Sequence, residues 1–271
     1  IKNVQIFDGT GSPSRAGAVM ISDNRIAKVF GEHELSELPA ADKIIDGRGQ
    51  TLMPGMVDAH THLTWGSSKE KIYHQFILPE DELNVAARRN ARVLLDHGFT
   101  SLYSAGALID DLEPRLLEEL ESGALPGPRF IPSTIERTPE NDEGDEGADV
   151  FNGRGVGAMR AFVDHCAKTG VKSIKLVVSG EDALKPESAM DLLYSQDEID
   201  AAGSAAREAG IWIAAHTYSP TAIRMAIEAG ARILYHCSFA DDASVDLMAR
   251  HKDSVFYSPG VGVSIAAIEA S

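Results

Sequence analysis

The stretch MVDAHTHL, residues 56–63, opens on apolar residues and ends on two histidines spaced two apart. Side chains two apart on a β-strand point to one face, so His60 and His62 stand side by side at the C-terminal end of a strand and form half of a metal site. An HxH pair alone is short, and two incidental histidines near a strand end would read the same way. The surroundings decide between these readings. Downstream, short apolar runs recur between longer segments of helical periodicity: FTSLYSA (99–105), RFIPST (129–134), SIKLVVS (173–179), WIAAHT (212–217), RILYHCS (232–238) and VFYSPG (255–260). With 56–63 they make seven expected strands, alternating with expected helices at 82–98, 156–170, 195–210, 220–230 and 242–251. Gly98, Gly170, Gly210 and Gly230 each fall where a helix end needs a left-handed residue.

The pattern predicts an α/β fold, a (β/α)8 TIM-type barrel over residues 54–271. A closed barrel needs eight strands and typically ~250 residues, so the domain is expected to stop short of its eighth strand and to be incomplete at its C-terminus. Upstream, residues 1–53 carry KNVQIFDG, AGAVMIS, a turn at Asp23-Asn24 and RIAKVF, the reading of a small β unit.

In such barrels the C-terminal ends of the strands carry the chemistry. His216 closes WIAAH and His236 closes RILYH, each ahead of small or polar residues that read as a loop. Lys175 stands in SIKLVVS among apolar neighbours. Burial lowers a lysine's pKa and frees its amine to react with carbon dioxide, while a lysine paired with a carboxylate fits the segment equally well. Four histidines and a buried lysine at separate strand ends of one barrel point to a metal centre. His33, His74, His97, His165 and His251 fall in loops or on polar helix faces and are assigned no role, and Cys237 is expected to point away from the pocket.

Composition narrows the partners. The chain of 271 residues is 44% hydrophobic and 24% charged, as expected of a globular protein. A net charge of -16 repels phosphate backbones and anionic membranes, so a small-molecule substrate is expected, with no nucleic acid and no membrane partner; a homo-oligomer is compatible with the sequence. Two cysteines outside any CxxC pattern fit a reducing, cytoplasmic setting. The acidic run PENDEGDEGAD (139–149) reads as a solvated loop, because it lacks the closing glutamate of a calcium loop.

PGMVDAHTH resembles the signature of the amidohydrolase superfamily, and the likeness runs along the chain. NVQIFDGTG with RIAKV is similar to the N-terminal part of that superfamily's β-sandwich subdomain; IKLVVSG, AAHTYSPTAIRMAIEAGA and HCSFADDASVDLMA resemble the branch of Xaa-Pro and Xaa-Arg dipeptidases, ochratoxin-type amidases and imidazolonepropionase relatives. The resemblance implies that His60 and His62 bind one divalent metal, that Lys175, N6-carboxylated, bridges two, and that His216 and His236 bind the second. It implies catalytic roles for Lys175 and for Tyr218, which matches a tyrosine that approaches the substrate carbonyl or carboxylate. The implied activity is hydrolysis of an amide or peptide-like C–N bond by metal-activated water, with zinc the first choice of metal. A urea or (thio)carbamate hydrolase shares these residues, a mononuclear deaminase or cyclic-amide hydrolase shares most of them, and a non-catalytic scaffold would have no reason to keep them. Two features depart from the branch. The aspartate that follows its eighth strand has no counterpart, and STIERTPENDEG stands where the branch often has Gly-Gly-His-Gly.

Overall fold

The computed structural model describes residues 1–65, 78–139, 151, 153–181 and 188–261. The acidic run expected as a loop and His74 lie outside the described residues, apart from Pro139. The chain divides into two compact units, Ile1–Met56 and Val57–Ser271.

The first unit is one four-stranded sheet in the order β3-β2-β1-β4, from β1 (Val4–Ile6), β2 (Arg15–Ser22), β3 (Arg25–Gly31) and β4 (Thr51–Leu52). The β2–β3 hairpin turns at Asp23-Asn24, with Asp23 left-handed at φ 54°. The small core of this unit is Val4, Ile6 and Val19.

The second unit alternates strands and helices in parallel. Its strands are β5 (Met56–Thr61), β6 (Phe99–Ser104), β7 (Arg129–Ile131), β8 (Ser173–Val177), β9 (Trp212–Thr217), β10 (Ile233–His236) and β11 (Phe256–Ser258). They form two sheets, β5-β6-β7 and β8-β9-β10-β11. Arg137 joins the sheets: its amide donates to the Lys175 carbonyl at 2.9 Å and its own carbonyl accepts from Val177 at 3.0 Å. The helices are α1 (Glu80–Asp96), α2 (Leu112–Glu121), α3 (Gly155–Thr169), α4 (Gln196–Ala209), α5 (Pro220–Ala229) and α6 (Asp242–Arg250). Strand side chains alternate between two faces. Ile174, Leu176, Ile213, Ala215 and Leu234 pack outward against α3, α4 and α5, while Tyr103, Ala105, Ala214, Ile233 and Tyr235 form a second core on the opposite face. The Tyr235 hydroxyl crosses from β10 to donate to the Ala59 carbonyl of β5 at 2.9 Å, which requires the strands to curve around that inner face.

All seven expected strands are present. The helix α2 was not among the expected elements; Pro114 falls in its first turn, the one part of a helix where proline does not break the ladder. Among the described residues no helix is long and apolar enough to cross a membrane.

Candidate metal centre

His60, Lys175, His216 and His236 on β5, β8, β9 and β10, with His62 just past β5, line one cavity of about 550 Å³. Ring centroids stand 5.4 Å apart for His60 and His62, 5.0 Å for His60 and His236, and 4.6 Å for His216 and His236. Each ring is held from behind. The His62 Nδ1 meets the Gly106 carbonyl at 3.0 Å, and the ring stacks on Trp65 at 3.8 Å between centroids. His60 stacks on Tyr235 at 3.9 Å. His216 makes a hydrogen bond to the Gly180 backbone and leaves its Nε2 buried without a hydrogen-bond partner; the Nδ1 of His60 is likewise buried and unpartnered.

His236 and Cys237 are both left-handed, at φ 67° and 52°. Non-glycine residues there store roughly 1–3 kcal/mol of strain each and persist only where their surroundings hold them. The Cys237 amide donates to the Thr217 carbonyl at 2.7 Å, and the Tyr257 hydroxyl donates to the His236 carbonyl at 2.9 Å. These bonds aim the His236 ring into the cavity. Cys237 itself is buried in the outer core, away from the cavity.

Burial holds all four imidazoles below their ordinary range, with the Lys175 charge adding to the effect; His62 and His236 are pushed down to about 3. The rings are therefore neutral at physiological pH and present lone pairs, as metal-binding imidazoles must. Lys175 is 1% exposed, and burial lowers its pKa against the raising influence of Glu136. Its ammonium donates to the Ala105 carbonyl at 3.1 Å, lies over the Tyr235 ring at 4.5 Å, and is 3.5 Å from Glu136.

Two carboxylates stand among these residues that the sequence reading did not single out. Glu136 reaches both Lys175 and, at 3.5 Å, His62. Gly106 makes room for it: a Cβ on Gly106 would fall 2.2 Å from the Glu136 Cγ, and its φ of 126° is one that side chains rarely adopt. Glu181 follows β8 and places its Oε2 at 3.8 Å from the His216 Nε2. Glu181, His216 and His236 offer ligand atoms that all lie within 4.8 Å of one another, a candidate metal-binding group. Both carboxylates sit just past strand ends, where the rule that selected the histidines also applies. Tyr218 stacks on His236 at 4.9 Å and donates its hydroxyl to Glu181 at 3.0 Å.

The rest of the cavity wall is mainly apolar, from Trp65, Leu108, Ile135, Val177 and Leu193, with Arg154 among its polar members. Nitrogen donors with unsatisfied lone pairs, beside carboxylates, suit a divalent cation of the zinc type. The two orphaned imidazole nitrogens are the observation that fits, because buried polar atoms without partners are rare.

The parallel α/β fold brings imidazoles and carboxylates together just past its strand ends, a candidate metal-binding arrangement. Residues 51–261 match the Amidohydrolase family, and the chain belongs to that family. Its relatives include the imidazolonepropionase of Ectopseudomonas mendocina, 33% identical over 124 residues, covering 45% of this chain and 30% of that protein. The ochratoxinase of Aspergillus niger is 24% identical over 270 residues, covering 90% of this chain and 55% of that protein. The chain thus spans from under a third to about half the length of these two relatives. Among solved structures, a prolidase complexed with N-methylphosphonate-L-proline superposes with a TM-score of 0.77 at 26% identity, over 94% of this chain and 64% of that one. A Xaa-Pro dipeptidase with bound methionine shares the fold at TM-score 0.77 and 22% identity, again over 94% and 64%.

Proposed function

We propose that this chain hydrolyses an amide or peptide-like C–N bond in a small molecule, on a barrel of the (β/α)8 type. The observation that carries the reading is the pair of buried, unpartnered imidazole nitrogens, on His60 and His216, facing one cavity with His62, Lys175 and His236. His60 and His62 would hold one divalent cation, zinc in the first instance, and His216 and His236 a second, with Lys175 as a carbamate between them. Bound cations would supply an acidified water and polarise the scissile carbonyl. The protein's own part is positional. Gly106 and Gly180 fix the tautomers of His62 and His216, Tyr235 holds the His60 ring, and the apolar wall excludes bulk water. Tyr218 is assigned to the substrate's carbonyl or carboxylate, reached when substrate competes for its bond to Glu181. A small-molecule substrate fits the cavity volume.

A second reading is favoured by one observation. Glu136, the Ala105 carbonyl and the Tyr235 ring form a complete socket for Lys175 as an ammonium, which would leave a mononuclear site. The Lys175→Ala variant separates the two readings. In the two-cation reading it loses one or both equivalents of zinc, as read by elemental analysis, and amide turnover falls by about 10²-fold or more. Added short carboxylic acids restore part of both. In the ammonium reading the wild-type chain binds one cation per chain, and carboxylic acids restore nothing. A wild-type protein that takes up no divalent cation defeats both readings.

A further inference from the structure

The chain just past β6 presents two carbonyls to site residues. That of Ala105 accepts from the Lys175 ammonium at 3.1 Å, and that of Gly106 meets the His62 Nδ1 at 3.0 Å. In a trans peptide the N–H points opposite to the C=O of the same plane, so anchoring one aims the other. Both amides are anchored. The Gly106 amide, in one plane with the Ala105 carbonyl, donates to the Ser104 hydroxyl oxygen at 3.1 Å. The Ala107 amide, in one plane with the Gly106 carbonyl, donates to the Thr134 carbonyl at 2.9 Å. These ties matter at Gly106, because its φ of 126° is open to glycine and leaves the backbone free to rotate without them. Both lead back to one side chain, Glu113 in the first turn of α2. Its Oε2 accepts from the Ser133 amide at 2.8 Å, next to Thr134, and its carboxyl shares a side-chain hydrogen bond with Ser104. The Ser104 oxygen already accepts from Gly106, so its single proton is available to that carboxyl. An acid in the first turn of a helix is favourable at the surface, yet Glu113 turns inward and is fully buried, a cost that its bonds must offset.

We propose that Glu113 and Ser104 are positioning residues of the site, fixing from α2 and the end of β6 the two peptide planes whose carbonyls orient Lys175 and His62. This rests on the hydrolase reading proposed above and adds to it a support that none of the five strand-end residues supplies. Loss of the Ser104 oxygen releases the Ala105–Gly106 plane, and the Ala105 carbonyl then turns from Lys175. Loss of the Glu113 carboxyl releases both planes together, because the Ser133 amide and the Ser104 hydroxyl lose their common partner.

The test is equilibrium titration of the metal-stripped full chain with Co²⁺ alone, followed by visible absorption and calorimetry, with the stability of each variant measured beside it. Ser104→Ala should raise the dissociation constant for Co²⁺ by about 10-fold, the lower end of what the loss of an outer partner costs, and should change the absorption band. Glu113→Leu should do the same or more. Glu113→Gln, which keeps a neutral hydrogen-bonding group of the same shape, should bind as the wild type does. Leu116→Ala, on the same helix, lowers stability without touching these bonds and should leave affinity and spectrum unchanged in the folded protein. A purely structural Glu113 would instead make the affinities follow the stabilities, with Leu116→Ala among the weakest binders, and that result overturns the proposal. Should Glu113→Leu prove misfolded by circular dichroism, Ser104→Ala decides. Wild-type affinity and spectrum in Ser104→Ala overturn the proposal and leave the hydrolase reading intact. A wild type that binds no Co²⁺ overturns both.

Discussion

The strands β8–β10 with helices α3–α5 and the strands β5–β7 with helices α1 and α2 both deliver residues to the cavity, yet they are built differently. Around the former, one continuous core runs through Phe162, Ile174, Leu176, Ile199, Ile223 and Leu234. Around the latter, the fully buried core among the described residues is smaller: Leu63, Ala87, Ala91, Leu102, Leu116 and Phe130. Their helix ends differ too. Ser195 caps α4 in a capping box with Glu198, Ser219 caps α5, and α3, α4 and α5 end on left-handed Gly170, Gly210 and Gly230. Helices α1 and α2 begin at Pro79 and Asp111 with no side-chain cap, although left-handed Gly98 and Gly123 follow their last residues, His97 and Ser122. The contrast teaches that His216 and His236 stand on a scaffold specified both locally and by packing, whereas His60, His62 and Glu136 depend on tertiary contacts for their place.

The largest effect that would break this comparison is in the cores. Phe162→Ala empties a fully buried site and should cost about 3–5 kcal/mol in a denaturant titration, with weakened Co²⁺ binding at His216 and His236. Leu116→Ala, in the smaller core, should cost about 2–3 kcal/mol and spare that ion. Equal losses of the His216 ion in both variants would show that the two regions do not differ as support.

An intermediate effect belongs to Glu113 on α2. Burial pushes its carboxyl up to about 8, with hydrogen bonds from Ser104 and the Ser133 amide pulling the other way. A carboxyl whose folded pKa lies above its unfolded value binds the proton more tightly when folded, so its contribution is fully present below the unfolded value of 4.5 and is lost as pH rises through about 8. Glu113→Gln, which keeps a neutral polar group, should therefore gain stability over the wild type as pH rises between those limits, by roughly 1.4 kcal/mol per pH unit at most. Thermal unfolding at pH 5 and pH 8.5 checks it; a constant offset at the two pH values would mean Glu113 does not titrate in this window.

The smallest effect tests the caps. Ser219→Ala removes the hydroxyl that accepts from Ala222 at the start of α5 and should cost about 1 kcal/mol. Asp111→Ala, at a helix start where the side chain makes no capping bond, should stay within about 0.5 kcal/mol. Comparable losses would erase the distinction between the two sets of helix ends.

The same contrast explains what could be read in advance. The expected helices at 156–170, 195–210 and 220–230 lie within one residue of the observed α3, α4 and α5, because terminal glycines mark all three and serine caps open α4 and α5. No serine cap opens α2, and it went unanticipated although left-handed Gly123 follows it. His60, His62, Lys175, His216 and His236 were legible because a histidine or lysine among apolar strand residues contradicts its surroundings, and that contradiction is visible locally. Glu136 and Glu181 were not, since a glutamate in a loop is ordinary until something buried faces it.

By itself the sequence determined the alternation of strands and helices, the face of each strand that the five residues occupy, and the glycines that end the helices. Periodicity, capping and side-chain alternation are local properties. Only the tertiary structure decided that Gly106 leaves space for Glu136, that Tyr235 reaches across to Ala59, and that Glu181 meets His216. Those contacts join residues from 30 to 176 positions apart along the chain, where separation in sequence carries no information about distance and packing alone brings the atoms together.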